Sequence, residues 1–166
     1  MTTTSTSTRH EKAAISADPD VPAIRITRDF RATAEQLMRA HTGPEIFARW
    51  IRPADMTTRI DHWDCRTLGS YRYLNARDGE EYAFRGTFPL VTDDRIVQTF
   101  TWEEMPEAIA LETLRFEDLG AGWTRLHASS LCDSFEARDG MLASGMEVGV
   151  QDGYDQLEQM LAHGSV

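Results

Sequence analysis

In the stretch IALETLRFED, residues 109–118, Leu114 and Phe116 alternate like the inward side of a strand. That parity brings Glu112 inward and sends Arg115 and Glu117 to solvent. A carboxyl group enclosed by apolar side chains loses the hydration that stabilises its anion, so it holds its proton more tightly and can act as a general acid or base. An arginine partner, or a place near the open end of its strand, would leave it an ordinary carboxylate, and the sequence leaves both readings open. The same parity puts Ile96, Gln98, Phe100 and Trp102 on one face, Leu126, Ala128 and Ser130 on another, and Tyr82, Phe84, Gly86 and Phe88 on a third. Such faces turned toward one another form an aromatic wall with a few polar groups, the composition of a small-molecule pocket. Tyr73 or Tyr82 could relay a proton with Glu112. For any single aromatic, Trp50, Trp63 and Tyr71 included, plain core packing is the default role.

The remaining polar residues give weaker signals. His62 and His127 fall on strand-like segments, and neither has a second ligand at a spacing such as HxxxH or CxxC, so no metal is expected. His127 shares the parity of Arg125 and is expected on the surface, while His62 is undecided. His41 ends a short helical segment, where an imidazolium would meet the helix dipole favourably. Cys65 and Cys132 stand in no redox or metal spacing and read as free, packing thiols. Arg72 and Arg85 alternate with aromatics and are expected to face solvent. No nucleophile elbow, phosphate loop or dinucleotide fingerprint is present, so no catalytic residue and no cofactor is assigned.

The formal net charge is −10, and residues 133–166 hold seven acidic residues against one arginine. Nucleic acid and anionic membrane are therefore poor partners. No apolar run approaches the roughly 18 residues a membrane span needs, and the start has no signal-peptide core, so a cytoplasmic location is expected. A chain of 166 residues suits one domain, which buries roughly 70% of its unfolded surface.

Several elements must position these groups. Residues 1–20, rich in Thr and Ser, are expected to form a flexible arm ahead of a single domain over residues 21–163. AIRITRDF, residues 23–30, reads as a strand with Ile24, Ile26 and Arg28 alternating. Thr33 can cap the helix AEQLMRAH, Pro44 opens PEIFARWI, and Pro53 stops it. From residue 56 to 131 a period of two, broken by turn residues, predicts six consecutive strands in hairpins. GMEVGVQDGYDQLEQML, residues 145–161, reads as a long terminal helix. Leu142, Met146, Val150, Gly153, Tyr154, Leu157 and Leu161 share one face, with Asp152, Asp155 and Gln159 opposite. Gly145, Gly149 and Gly153 stand four apart in it, each at a cost of roughly 1 kcal/mol relative to alanine. They imply either close approach of a neighbour or space beside the helix. The sum is an α+β domain in which an antiparallel sheet curls round the last helix.

This order, and several local motifs, resemble the START-like helix-grip (SRPBCC) superfamily, and within it the bacterial homologues of the activator of the heat-shock-protein-90 ATPase. PEIFARWIRP carries the short-helix signature ending in Trp50 and Pro53. DCRTLGSYRY is similar to the Asp-x-Arg, glycine-pair and aromatic-strand motif, with Leu68 in place of the first glycine, so that turn is expected to differ. GTFPLVTDDRIVQTFTWEE, LRFEDLGAGWTRLHAS and the terminal helix follow in the family's order. The resemblance implies a helix-grip fold of the birch-pollen-allergen type, whose curved sheet and C-terminal helix enclose a cavity for a small hydrophobic or amphipathic molecule. The expected ligand-binding residues are Trp50, Tyr73, Tyr82, Phe84, Phe88, Gln98, Phe100, Trp102, Glu112, Leu114, Met146, Gly149, Val150 and Gly153. Two other functions are compatible with it: an enzyme of the polyketide aromatase/cyclase type using Glu112, and a chaperone-associated protein-binding module. The last ranks third, because no second folded domain like that of the eukaryotic co-chaperone is expected. Val148 and Leu111, apolar on outward faces, hint at a homodimer.

Overall fold

The computed structural model describes residues 8–166. Strands β1 (Ala14–Ala17) and β2 (Ala23–Phe30) lead into two short helices, α1 (Ala34–Thr42) and α2 (Pro44–Trp50). The strands β3 (Thr57–Trp63), β4 (Gly69–Arg77), β5 (Glu80–Phe88), β6 (Leu90–Val91), β7 (Arg95–Trp102), β8 (Ile109–Gly120) and β9 (Trp123–Leu131) follow. Helices α3 (Phe135–Ala143) and α4 (Met146–Ala162) end the chain. All pairings are antiparallel, in the order β1-β2-β9-β8-β7-β5-β4-β3, with β6 paired to β7. A curved sheet with a C-terminal helix is the helix-grip arrangement.

Local chemistry sets the element boundaries. Thr33 and Gln36 form a capping box: the Thr33 hydroxyl accepts from the Gln36 amide at 3.1 Å, and the Gln36 side-chain oxygen accepts from the Thr33 amide at 2.9 Å. Pro44 occupies the first turn of α2, where its missing N–H costs nothing. At the turn before β4, Leu68 takes the left-handed conformation (φ 71°) although it is not glycine, and its side chain is 90% exposed. The following Gly69 is obligatory, because a Cβ there would fall 1.9 Å from the Asp64 carbonyl oxygen.

The core lies between the concave face and the helices. Ile24, Phe30, Leu37, Ala40, Leu126 and Leu157 have no measurable exposure. Between β5 and β7 the ladder is short. Phe84 pairs with Trp102 and Arg85 with Thr101; beyond Gly86, side chains take over, with the Thr87 amide donating to the Thr99 hydroxyl at 2.8 Å.

Three expectations change. Residues 8–20 are not a loose arm, since Ala14–Ala17 pair with Ile24–Thr27. The Gln151 amide also clamps Ala13, accepting from its N–H at 3.1 Å and donating to its carbonyl at 2.9 Å. Residues 1–7 of the expected arm lie outside the described residues. The terminal helix, expected over residues 145–161, runs over Met146–Ala162, with Gly145, left-handed at φ 82°, as its N-cap and not inside it, and an unexpected helix, α3, capped by Ser134, precedes it. His41 is not a surface imidazolium. It is buried against Trp50 and Phe116, with ring centroids at 4.7 and 5.1 Å, and its Nδ1 lies 2.7 Å from the Leu37 carbonyl oxygen. Burial pushes its pKa down to about 4, so the ring is neutral at physiological pH.

Candidate functional site: a carboxyl and three phenols inside the sheet

The register of β7, β8 and β9 sets Gln98, Glu112 and Ser130 side by side in one row of the concave face. The Gln98 amide donates to one Glu112 oxygen at 3.2 Å, and the Ser130 hydroxyl donates to the other at 3.0 Å. Among the described residues no arginine or lysine joins them. Burial therefore dominates and holds the Glu112 carboxyl above the usual carboxylate range, with the two donors pulling in the opposite direction. By accessible surface the residue as a whole is half-buried.

Tyr71, Tyr73 and Tyr154 face the same charge. Burial is the main cause that raises each phenol, and the negative field of Glu112 adds to it in all three. The rings belong to one aromatic network. Tyr73 stacks on Phe84 at 5.3 Å, Phe84 on Phe100 at 5.3 Å, and Tyr154 on Trp50 at 5.7 Å. Tyr71 lies over Gly86, where a Cβ would meet its ring at 2.7 Å, and donates to the Thr99 carbonyl at 2.6 Å.

The expected ligand-binding residues divide into two groups. Phe84, Gln98, Phe100, Trp102, Glu112, Met146, Gly149 and Val150 are part-accessible, as is Tyr82. Trp50, Tyr73, Phe88, Leu114 and Gly153 are buried. Trp50 is fixed in the core by its indole N–H, which donates to the Ala40 carbonyl at 2.9 Å. Tyr82 turns away from Glu112, and its hydroxyl donates to Glu80 at 2.8 Å at the exposed end of β5. The Trp102 indole nitrogen is sealed from solvent and has no hydrogen-bond partner among the described residues.

The glycines of α4 differ in what they face. Gly149 has only Pro53 Cγ, at 3.8 Å from where a Cβ would lie, and lines a cleft of about 590 Å³ together with Pro53, Met56, Arg77, Met146 and Asp152. Gly145 also borders this cleft. Gly153 has no space beside it, because a Cβ would fall 2.9 Å from the Trp50 carbonyl oxygen. Its place as a ligand-binding residue is corrected to a packing one. At the rim of the cleft Arg77 and Asp55 form an ion pair at 2.6 Å, and Asp152 accepts from the Ala54 amide at 3.2 Å.

Sequence reasoning missed the third phenol, Tyr154, by counting it only as an apolar member of the helix face. It also missed the anchor between sheet and helix. The Arg28 guanidinium is fully buried and donates to Asp155 at 3.3 Å and Glu158 at 3.1 Å. The signal was available: Arg28 shares the inward parity of Ile24 and Ile26, and Asp155 and Glu158 stand three apart on α4. The other histidines lie outside the site, with His62 contacting Ser70 at 2.9 Å and His127 contacting Glu117 at 2.9 Å. Among the described residues no three His, Cys, Asp or Glu side chains are placed to hold a metal ion. No helix among them is long and apolar enough to cross a membrane.

Residues 31–162 match the family described as Activator of Hsp90 ATPase homolog 1-like protein. Solved structures of similar fold include a protein from Rhodobacter sphaeroides (TM-score 0.83, 24% identity, covering 92% of this chain and 99% of that one). Another is protein Ms6760 from Mycobacterium smegmatis (TM-score 0.80, 20% identity, covering 89% and 95%). DynU16, a protein of the dynemicin biosynthetic locus, is also similar (TM-score 0.67, 20% identity), with 88% of this chain matching 49% of that one. None of the curated proteins matches the chain significantly.

Proposed function

Because the chain belongs to the Activator of Hsp90 ATPase homolog 1-like family, a START-like family, we propose that it binds a small amphipathic molecule between the concave sheet and α4, with no obligatory reaction. One observation carries this reading. The Glu112 carboxyl is held by Gln98 and Ser130 with no cation beside it among the described residues, on the same sheet face as Phe84, Phe100 and Trp102, which keep accessible surface. A solid core would not keep a half-compensated carboxyl beside accessible rings, whereas a ligand site combines an apolar lining with a few oriented polar groups.

N-phenyl-1-naphthylamine, an uncharged dye that fluoresces in apolar surroundings, tests the reading when paired with native mass spectrometry of gently purified protein. The expected result is saturable dye binding at one site per chain, displaced by any molecule that co-purifies. Wild-type protein that neither takes up dye nor carries a bound molecule would end the proposal.

A second reading is favoured by the raised proton affinity of Glu112: proton transfer on the bound molecule, with Glu112 as general acid or base and Tyr73 nearby. Glu112→Gln separates the two. It abolishes turnover of a true substrate while leaving dye binding in place.

A further inference from the structure

One row of side chains crosses five strands: His62 stands opposite Arg72, Arg72 opposite Arg85, Arg85 opposite Thr101 and Thr101 opposite Ile109. Alternation puts this row on the outer face of the sheet, since Gln98 and Glu112 take the other parity on β7 and β8. All five residues line one groove of about 550 Å³. It lies where β5 and β7 stop pairing, beside Gly86, at which a Cβ would fall 1.9 Å from the Thr99 carbonyl oxygen.

The composition of this groove runs against that of the chain. The formal net charge is −10, yet none of the described side chains lining the groove is acidic, and Arg72 and Arg85 face each other directly within it. Like charges in that position repel. Arg72 is committed: its Nε and Nη2 donate to Glu103 at 2.7 and 2.9 Å, and its Nη1 donates to Asp61 at 3.2 Å. Arg85 is exposed and forms no ion pair or hydrogen bond among the described residues. Its neighbour Thr101 is only 5% exposed, and the Thr101 hydroxyl has no hydrogen bond among the described residues, although its oxygen is not sealed from the groove. Directly opposite residues hold their Cβ atoms about 5 Å apart, so one small acceptor reaches both groups. A buried hydroxyl without a partner costs stability, and here it opens beside a cation that also lacks one.

We infer that this groove is a second binding site, which takes a small monocarboxylate with an apolar body. The planar fork of Arg85 matches the two oxygens of a carboxylate, and Thr101 donates to one of them. Ile109, exposed, and Pro106 give the apolar body a shoulder. One spare guanidinium compensates one negative charge. The doubly charged head of a phosphate monoester would bring a second charge close to Asp61 and Glu103, whose own cation is already used. The site lies on the opposite face of the sheet from Glu112 and does not depend on what binds there.

Amide NMR titrations of the full chain with benzoate, benzamide and phenyl phosphate test this, because the three share one ring and differ in the head group. At about pH 8 the phosphate is doubly charged. Benzoate should shift the signals of Arg85–Thr87 and Thr99–Thr101 saturably, and phenyl phosphate should bind more weakly. Benzamide should bind about tenfold or more weaker than benzoate, the difference expected when a charge-assisted pair is lost. Arg85→Gln should weaken benzoate by about the same factor and keep or raise the melting temperature, because it removes an unpaired charge facing Arg72. Thr101→Val should weaken benzoate about threefold without loss of stability. Groove signals that stay still, shifts confined to the surroundings of Glu112, or equal binding of benzoate and benzamide would each overturn the inference. So would phenyl phosphate binding as tightly as benzoate, or benzoate affinity that survives Arg85→Gln. A clear fall in melting temperature in Arg85→Gln would show the guanidinium already engaged and would overturn it too. Dye uptake reads the other face, so its outcome is separate from all of these.

Discussion

The two halves of α4 use one glycine spacing for opposite ends. In the first turns Met146, Gly149 and Val150 stay half-buried and Val148 is exposed, with a cleft beside them. In the later turns Gly153, Tyr154, Leu157 and Met160 are buried, and the helix backbone presses on the end of α2. A glycine removes a side chain in both cases. What differs is whether a neighbour fills the gap, and that is decided by where α2 and its following loop lie, not by the helix itself.

Substitution should break this contrast most strongly at the closed end. Gly153→Leu has to displace the Trp50 backbone, and overpacking of this kind should cost about 3 kcal/mol or more. Denaturant unfolding would read this as a large drop in midpoint, and a loss under about 1 kcal/mol would show that the closed end is looser than described.

Acid sharpens the same contrast. His41 belongs to the closed end through its contacts with Trp50 and Phe116. Its folded-state pKa lies below the ordinary value, so its contribution is present above pH 6.5 and is lost as pH falls toward about 4. A shift of that size corresponds to about 3 kcal/mol, to be measured as stability against pH, and His41→Gln should flatten the curve over that window. Glu112, on the sheet, behaves oppositely. Its pKa is raised on folding, so its favourable contribution is complete at low pH and is lost as pH rises through the folded value. Glu112→Gln should therefore raise the melting temperature at pH 8 and change it little at pH 4. Equal effects at both pH values would sink this account of the carboxyl.

The smallest effects belong to the open end and to the exposed turn. Gly149→Ala meets only Pro53 Cγ at ordinary contact distance and should gain about 0.5–1 kcal/mol from helix propensity. Gly149→Leu should reduce dye uptake more than it alters stability. Leu68→Gly should gain about 1 kcal/mol by relieving a left-handed leucine whose side chain contributes no burial. A loss in either Gly149→Ala or Leu68→Gly would show a contact that the geometry does not contain.

Much of this was legible in the sequence, because alternation is a local property. The strands from β2 to β9, apart from the short β6, follow from a period of two and turn residues, and parity alone placed Glu112 inward and His127 outward. Residues whose role depends on a distant partner were not legible. His41 looks like a helix-end cation until Trp50 and Phe116 close over it. Ala14–Ala17 has one large side chain, Ile15, too little to announce a strand, and it is held by backbone pairing and by Gln151, more than 130 residues away. Tyr154 sits on the helix face where periodicity predicts an apolar contact, and its ring packs there on Phe30 and Trp50, which lie about a hundred residues away or more.

The clamp on Ala13 has a practical consequence for how the chain is handled. β1 covers the outer edge of β2, and sheet edges left bare offer unpaired N–H and C=O groups to any other strand. Trimming the chain at residue 20, as composition alone would suggest, removes this guard strand together with the Lys12–Asp155 and Ala13–Gln151 ties to α4. The shortened protein would present the Ala23–Phe30 edge as a template for strand pairing between copies, and self-association would follow from losing four modest residues that carry no part of the site.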